Sequence, residues 1–350
     1  MVDVGKNLKR VRLLKNLSLI EAGKLLNMSA PAVSKYERGE IVPNSQKLIE
    51  FANAYNVKVL ELLKSYNTPE LKFTAFRKKQ RLQGKKLELL KDVISNDVGR
   101  YIEVVELNSF DSKTVSLKKY SCNCIDDAEK AAISFRKDYE ISNNQPLSDL
   151  TNFLENLGII IIQIKNSNNV FSDFDGLSEV VNGIPIIVIL DDINDGARQR
   201  FTIAHELGHL MLDIKNKDLD EEKICHRFAS ALLMPKTAIF NEFGSSRNKI
   251  SFYELEAFKL EYKVSIAATL YRLKDLKVIS EYLFTELNKF LSMKGYKKKE
   301  PFLISLEKTY QFKKIVHRLE ADDIISLNKA CELLGTTIDE YNNEDNNYRY

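Results

Sequence analysis

Residues 205–209 read His-Glu-Leu-Gly-His, with two histidines four positions apart. On an α-helix, positions i and i+4 share one face, so His205 and His209 can bind one metal ion through their imidazole nitrogens. Glu206 is then placed to act as general base towards a water molecule on that ion. The whole chain has only four histidines in 350 residues, which makes a chance match rare. The pattern predicts metal-dependent hydrolysis; the alternative is two histidines on a half-exposed helix face.

A catalytic zinc site needs a third protein ligand and an open position for water. The segment that follows offers three candidates, Glu221, Glu222 and His226. Glu222 and His226 are four residues apart, so one helix face carries both. Zn²⁺ is the ion that best suits two histidines and a glutamate, and Mn²⁺ also accepts nitrogen and oxygen ligands.

Two predicted helices, at about 197–213 and 219–233, must position these residues. Upstream, 158–164 is an apolar, β-branched strand. Residues 177–190 predict a β-hairpin that turns at Asn182-Gly183, a strong two-residue turn signal. The predicted fold is α+β and mostly α: an all-helical N-terminal domain, a domain with a small antiparallel sheet and the metal helix, and a helical C-terminal region.

The N-terminal 66 residues are basic and helix-patterned. They contain 11 Lys+Arg and 6 Asp+Glu, a balance of +5 in a chain whose total is +3. Ser18 and Glu21 form a capping-box pattern that opens a second helix, and Ser29 followed by Pro31 opens a third. A small basic unit on a near-neutral body indicates a nucleic-acid-binding module.

Residues 8–63 resemble the XRE/Cro-type helix-turn-helix family, with 18–26 as the first motif helix and 29–38 as the recognition helix. Gly23 takes the small-residue position where the helices cross, and Val33 is its expected buried partner. The resemblance implies binding to a double-stranded DNA operator, usually as a homodimer; the alternative is a module for protein contact only. The residues expected to face DNA bases or phosphates are Ser29, Ala30, Pro31, Ser34, Lys35, Arg38, Lys9 and Arg12.

The segments ARQRFTIAHELGHLML (197–212) and EEKICHRFASALLMP (221–235) resemble the ImmA/IrrE metallo-endopeptidase family, over about 125–280. The resemblance implies zinc ligands at His205, His209 and Glu222, with Glu206 as general base. It also implies that the hairpin's edge strand holds an extended peptide beside the zinc. Two positions depart from the family pattern: Cys225 replaces Ala, and His226 replaces a frequent Asn. Candidates for active-site support are His226, Arg272 and Tyr271.

Composition limits the class of protein. The 44% hydrophobic and 29% charged residues are typical of a globular chain. No uncharged apolar run approaches about 18 residues, and the start lacks the apolar region of a secretory signal, so we expect a cytoplasmic protein without membrane association. The four cysteines agree with a reducing compartment, and the spacing of Cys122 and Cys124 does not match usual metal-binding motifs.

The predicted domains are 1–66 (helix-turn-helix), 67–124 (helical linker), 125–280 (metallopeptidase) and 281–350 (helical, role unknown). The linker includes a basic run at 77–86, either a solvated helix face or an extra contact to the DNA backbone.

The leading hypothesis is a DNA-binding transcription regulator with a zinc endopeptidase that cleaves a regulatory protein, a repressor or its own linker. The alternative is a non-proteolytic transcription factor or antitoxin whose metallopeptidase fold serves as a sensor or interaction surface. A zinc hydrolase with another kind of substrate is a third, weaker hypothesis.

Overall fold

The computed structural model describes residues 3–63, 84–108, 117–165, 170–171, 174–191, 195–216, 218–297 and 299–346. Helices predominate, and the strands occur in the middle of the chain, as the predicted α+β, mostly α fold requires. The elements of the first third are α1 (Val4–Leu14), α2 (Leu19–Leu25), α3 (Ala30–Glu37), α4 (Ser45–Tyr55), α5 (Val59–Leu63) and α6 (Lys85–Leu107). The middle contains β1 (Tyr120–Cys122), α7 (Ile125–Asp138), α8 (Leu150–Asn156), β2 (Ile160–Ile164), β3 (Gly176–Val181), β4 (Ile184–Leu190), α9 (Gly196–Met211), β5 (Leu212–Ile214) and α10 (Glu221–Leu233). The remainder contains α11 (Lys236–Phe243), α12 (Phe252–Tyr262), α13 (Ile266–Asp275), α14 (Glu281–Met293), α15 (Gln311–Ala321), α16 (Leu327–Leu334) and α17 (Ile338–Asn346).

The chain forms two compact units. The first comprises Met1–Lys113, Ile164–Phe174 and Tyr310–Tyr350, and the second comprises Thr114–Gln163 and Asp175–Thr309. The predicted C-terminal region is therefore divided between the units at residue 310. The basic run at 77–86 lies mostly outside the described residues, as does part of the linker considered for self-cleavage.

Helices α1 to α5 form the N-terminal part of the first unit, around the fully buried Leu8, Val33 and Phe51. The expected capping box is present: the N–H of Glu21 donates to Ser18 Oγ, and the N–H of Ser18 donates to the Glu21 carboxylate. The predicted need for a small residue at Gly23 is also confirmed, because a Cβ there would lie 2.6 Å from the Met28 carbonyl oxygen.

Helices α16 and α17 repeat the layout of α2 and α3 in the same unit. Ser326 caps α16 as Ser18 caps α2, and Thr337, eleven residues on, caps α17 as Ser29 caps α3. Buried and turn positions also correspond: Ala22 with Ala330, Asn27 with Gly335, and Val33 with Tyr341. The second motif lacks the charge of the first, since α17 contains acidic residues but neither Lys nor Arg.

The second unit is built around α9 and α10. Helix α10 packs against both α7 and α9, and the hairpin of β3 and β4 packs on α9. The hairpin has the predicted antiparallel register, and Asn182 and Gly183 both adopt the positive φ that a tight hairpin turn needs. The sheet order β2-β4-β3 makes β3 an edge strand among the described residues.

A short parallel pair, β1 with β5, was not expected. The sequence analysis placed residues 67–124 in a helical linker, whereas 120–122 form a strand, and α9 ends at Met211 where the chain enters β5 directly. Three-residue strands are too short to give a periodic signal, so their sequence could not reveal them. None of the described helices combines the length and apolarity that a membrane span requires.

Candidate functional site

Helix α9 carries the predicted metal motif. Asp195 begins the helix by accepting a hydrogen bond from the N–H of Ala197. Its core-facing residues Ile203 and Leu207 are fully buried and fix the rotation of the helix, so the face with the two histidines turns towards α10. The HExxH pattern thus lies on a helix, as predicted.

Helix α10 approaches α9 closely at Gly208. A Cβ at this position would lie 3.2 Å from the Cβ of Cys225 and 3.3 Å from its sulfur, so a larger residue would push the helices apart. A glycine inside a helix often marks such a close approach. It brings the first turn of α10, with Glu221 and Glu222, to the histidines of α9.

The structure brings His205, His209 and Glu222 together. Nε2 of His205 and Nε2 of His209 are 3.3 Å apart. Glu222 Oε2 lies 3.0 Å from Nε2 of His205, and Glu222 Oε1 lies 3.4 Å from Nε2 of His209. Atoms bound at about 2.0–2.1 Å to one tetrahedral zinc ion are about 3.3–3.4 Å from each other. The three side chains therefore have the chemistry and spacing to hold one zinc ion.

Glu221 orients one of the histidines. Its Oε1 lies 3.0 Å from Nδ1 of His209, which favours a proton on Nδ1 and leaves the Nε2 lone pair for a metal. Burial lowers the pKa of His209, but hydrogen bonds with Cys225, Glu221 and Glu222 outweigh it and raise this pKa to about 11. The negative charge around His209, which favours a proton on its ring, also favours the binding of a divalent cation at this place. Sequence reasoning considered Glu221 only as an alternative ligand and missed this role.

The proposed base Glu206 is buried beside the edge strand β3. Ser178 Oγ donates a hydrogen bond to Glu206 Oε2 at 3.0 Å. Gly176, on the same strand, leaves the space in which the carboxylate lies, because a Cβ there would be 3.1 Å from Glu206 Oε1. Sequence analysis missed both strand residues, since neither belongs to a motif and only the tertiary fold places them here.

We expect Ser178→Ala to lower the rate of peptide hydrolysis by about tenfold without changing zinc content, because the hydroxyl orients the Glu206 carboxylate. The cleavage rate is measured on a protein that the wild-type chain cleaves, and the zinc content of each variant is measured by metal analysis. Ser178→Thr keeps the hydroxyl and is the control. An unchanged rate in Ser178→Ala would show that other contacts orient Glu206.

His226 lies next to the same centre. Its ring is 4.3 Å from the His205 ring and stacks on Phe201 at 5.8 Å between centroids. Ligand atoms of His205, Glu222 and His226 all lie within 4.8 Å of one another. The distances of 3.0–3.4 Å among His205, His209 and Glu222 are shorter, so we treat His226 as a neighbour of the centre rather than a ligand.

The other two predicted support residues make different contacts. Arg272 is fully buried; its guanidinium donates to both carboxylate oxygens of Glu129 and to the Met234 carbonyl, so it joins α7, α10 and α13. The half-exposed Tyr271 packs edge-on against Phe284. These contacts give Arg272 a structural role in place of the expected active-site support, whereas active-site support from Tyr271 stays a prediction. The sequence located the helix but not the direction of its side chains.

The predicted DNA-contacting residues lie mostly on the surface of the first unit. Ser29, Pro31, Lys35 and Arg38 on or next to α3 are exposed, as is Lys9 on α1, while Ala30 and Ser34 are partly exposed. Arg38 pairs with Glu40 at 2.6 Å and donates to Ser34 at 2.8 Å. This pair is in solvent and thus weak, so the arginine remains available to a phosphate.

Arg12 is an exception, and its expected phosphate contact is wrong. Its guanidinium is buried, with bonds of 2.6 and 2.9 Å to the two carboxylate oxygens of Glu37 and one of 2.7 Å to the Leu17 carbonyl. These bonds join α1 to the end of α3 and leave no face for DNA. Spacing along α1 does not distinguish a solvent-facing cation from one that meets a buried acid on another helix.

Comparison with known proteins agrees with this geometry. Residues 154–274 match a peptidase family model described as IrrE N-terminal-like domain, and residues 8–62 match a helix-turn-helix model. No curated protein matches the chain significantly. The peptidase match includes α9 and α10 with the histidines and glutamates described above. The chain therefore contains a helix-turn-helix domain followed by an IrrE N-terminal-like peptidase domain, in the order that the sequence predicts.

Proposed function

We propose that this chain is a cytoplasmic transcription regulator that binds DNA as a homodimer and carries a zinc-dependent endopeptidase. The observation that carries the proposal is the cluster of His205, His209 and Glu222, whose two Nε2 atoms and two carboxylate oxygens lie 3.0–3.4 Å apart in the pairs measured, with Glu206 on the same helix as the histidines. When bound, zinc supplies a Lewis acid that polarises the substrate carbonyl and acidifies a water molecule. Glu206 accepts the proton of the attacking water and passes it to the leaving amine nitrogen, with no acyl-enzyme.

The edge strand β3 supports an extended peptide as substrate. Its neighbour on one side is β4, and among the described residues no strand pairs with its other side. A substrate segment can add there as a further strand, with its backbone hydrogen-bonded to β3. Because Ser178 and Gly176 of β3 contact Glu206, a peptide on this edge would lie beside the base.

A regulatory protein is the substrate class that suits a peptidase joined to a DNA-binding domain. We propose that the substrate is a transcriptional repressor. The linker of this chain is a second candidate substrate of the same class. Incubation of the purified chain with repressors encoded near it, followed by mass spectrometry of the products, tests both. Cleavage restricted to this chain would favour the linker.

The first test of the proposal is metal content. We expect about one zinc per chain in protein purified without chelator, and a loss of this zinc in His209→Ala, because two remaining ligands hold zinc poorly. Mass spectrometry of the intact chain and elemental analysis measure it, with manganese quantified alongside. Absence of metal from the wild type even after zinc is added would refute the peptidase and leave a DNA-binding regulator with a non-catalytic fold.

A further inference from the structure

Residues 300–309, here called the C-terminal strap, lie against the start of the metal helix. The strap has neither helix nor strand structure and follows the end of the peptidase family match at residue 274. The N–H of Gly196 donates to the Ile304 carbonyl at 2.9 Å. A Cβ on Gly196 would lie only 2.1 Å from the Ser305 carbonyl oxygen, so glycine is required where the strap crosses the first turn of α9.

Glu307 is the centre of this contact. Its carboxylate is buried and accepts hydrogen bonds from the N–H groups of Leu150 and Thr151 at the start of α8, at 3.2 and 2.9 Å. It also pairs with the guanidinium of Arg200, a fully buried residue of α9. One carboxylate thus links the strap, the start of α8 and the metal helix.

The main chain of Glu307 is held by the same helix. Its N–H donates to Gln199 Oε1 at 2.8 Å, and its carbonyl accepts from Gln199 Nε2 at 3.0 Å. Gln163 Nε2 donates to that carbonyl as well, at 3.2 Å. Three positions in the first turns of α9, residues 196, 199 and 200, are therefore fixed by residues 304–307.

We infer that Glu307 is a positioning residue for the metal centre: it fixes the N-terminal half of α9 and, through the rigid helix, the placement of His205 and His209. This inference rests on the proposed function. Arg200 and Gln199 are one to two turns before His205, on the core side of the helix, so a shift there moves both imidazoles. Metal ligands tolerate displacements of only a few tenths of an ångström.

Glu300, at the other end of the strap, provides a matched control. Its side chain is 8% exposed against 6% for Glu307, and each pairs with a fully buried cation, Lys259 or Arg200. Glu300 likewise accepts bonds from a helix start, the N–H groups of Ile266 and Ala267 of α13. Its cation Lys259 approaches the α9 cap residue only at 3.8 Å. Both glutamates stabilise the fold, but only Glu307 bonds to α9.

The test compares Glu307→Gln with Glu300→Gln in the full chain. Zinc affinity is measured by competition with a chromogenic chelator, and amide hydrogen exchange of α9 is measured on metal-free protein. We expect about tenfold weaker zinc binding and faster exchange over 196–205 in Glu307→Gln, and less than twofold changes in Glu300→Gln. Equal effects in the two variants, or unchanged zinc affinity in Glu307→Gln, would overturn the inference. A wild type that binds no zinc would refute the proposed function, while unchanged exchange in Glu307→Gln would refute the strap's role separately.

A double variant covers the case in which Glu307→Gln folds poorly. Arg200→Met with Glu307→Gln removes the unpaired buried cation, while the glutamine oxygen still accepts from the start of α8. We expect its thermal stability to recover and its zinc affinity to stay about tenfold low, because the link between the side chains of residues 307 and 200 is missing although the main-chain bonds to Gln199 remain. Recovery of zinc affinity together with stability would mean that Glu307 only stabilises the fold, and would overturn the inference.

Discussion

Glu206→Gln is expected to keep its full zinc content and to lose about 10²–10⁴-fold in the rate of peptide hydrolysis. Glutamine occupies the same volume and can still accept the hydrogen bond from Ser178, so the pocket beside β3 is preserved. It has no carboxylate to accept the proton of the attacking water. Single-turnover cleavage of the substrate, followed by mass spectrometry, measures the rate, and elemental analysis measures the zinc.

Glu221→Gln is the matched control for this prediction. Glu221 is also a glutamate at the centre, but it contacts Nδ1 of His209 and has no part in the proposed proton transfer. We expect weaker zinc binding in this variant, with hydrolysis largely restored when zinc is saturating. A Glu206→Gln enzyme that cleaves at the wild-type rate would show that another group activates the water.

The parts of the site that the sequence predicts are those with local, periodic signals. His205, Glu206 and His209 share one helix, so their spacing alone predicts their common face. Glu222 needed the family resemblance, because spacing could not choose between it and its neighbours. Asn182-Gly183 predicts the hairpin for a similar local reason, since a tight turn requires positive φ at both residues.

The parts that the sequence could not predict depend on contacts between distant segments. Ser178 is twenty-eight residues from Glu206, and Glu307 is more than a hundred residues from Arg200. Neither residue has a spacing that distinguishes it from an ordinary surface serine or glutamate. The predicted peptidase boundary at 280 likewise followed the family motifs, whereas the second unit extends to 309 and includes the strap.

Three buried arginines make contacts between distant segments that the sequence did not predict. Arg12, Arg200 and Arg272 are all buried, and each has a carboxylate partner on a different segment. Removing one partner of such a pair leaves an unpaired charge in a medium of low polarity, which costs far more than the intact pair contributes. Arg12 and Arg272, which the sequence analysis expected to contact DNA and to support the active site, therefore act as structural cations in the fold, as Arg200 does.

Arg12→Met is accordingly expected to destabilise the helix-turn-helix domain by about 3–5 kcal/mol, because it leaves the buried Glu37 carboxylate unpaired. A small domain with a stability near the low end of the usual range, about 5 kcal/mol, would then be largely unfolded at moderate temperature and would lose DNA affinity with its fold. Thermal unfolding followed by circular dichroism measures the first effect. Fluorescence anisotropy with a mixed-sequence DNA duplex at low salt measures the second.

Two further variants separate a structural from a DNA-contacting role for Arg12. Arg12→Met combined with Glu37→Met replaces the ion pair by apolar side chains, which is often neutral for stability, so the domain should refold and bind DNA again. Lys9→Met, on the exposed side of the same helix, should keep the stability and reduce the salt dependence of DNA binding by about one phosphate contact. A double variant that is stable but no longer binds DNA would return Arg12 to the DNA interface, since only a direct contact would then explain the loss.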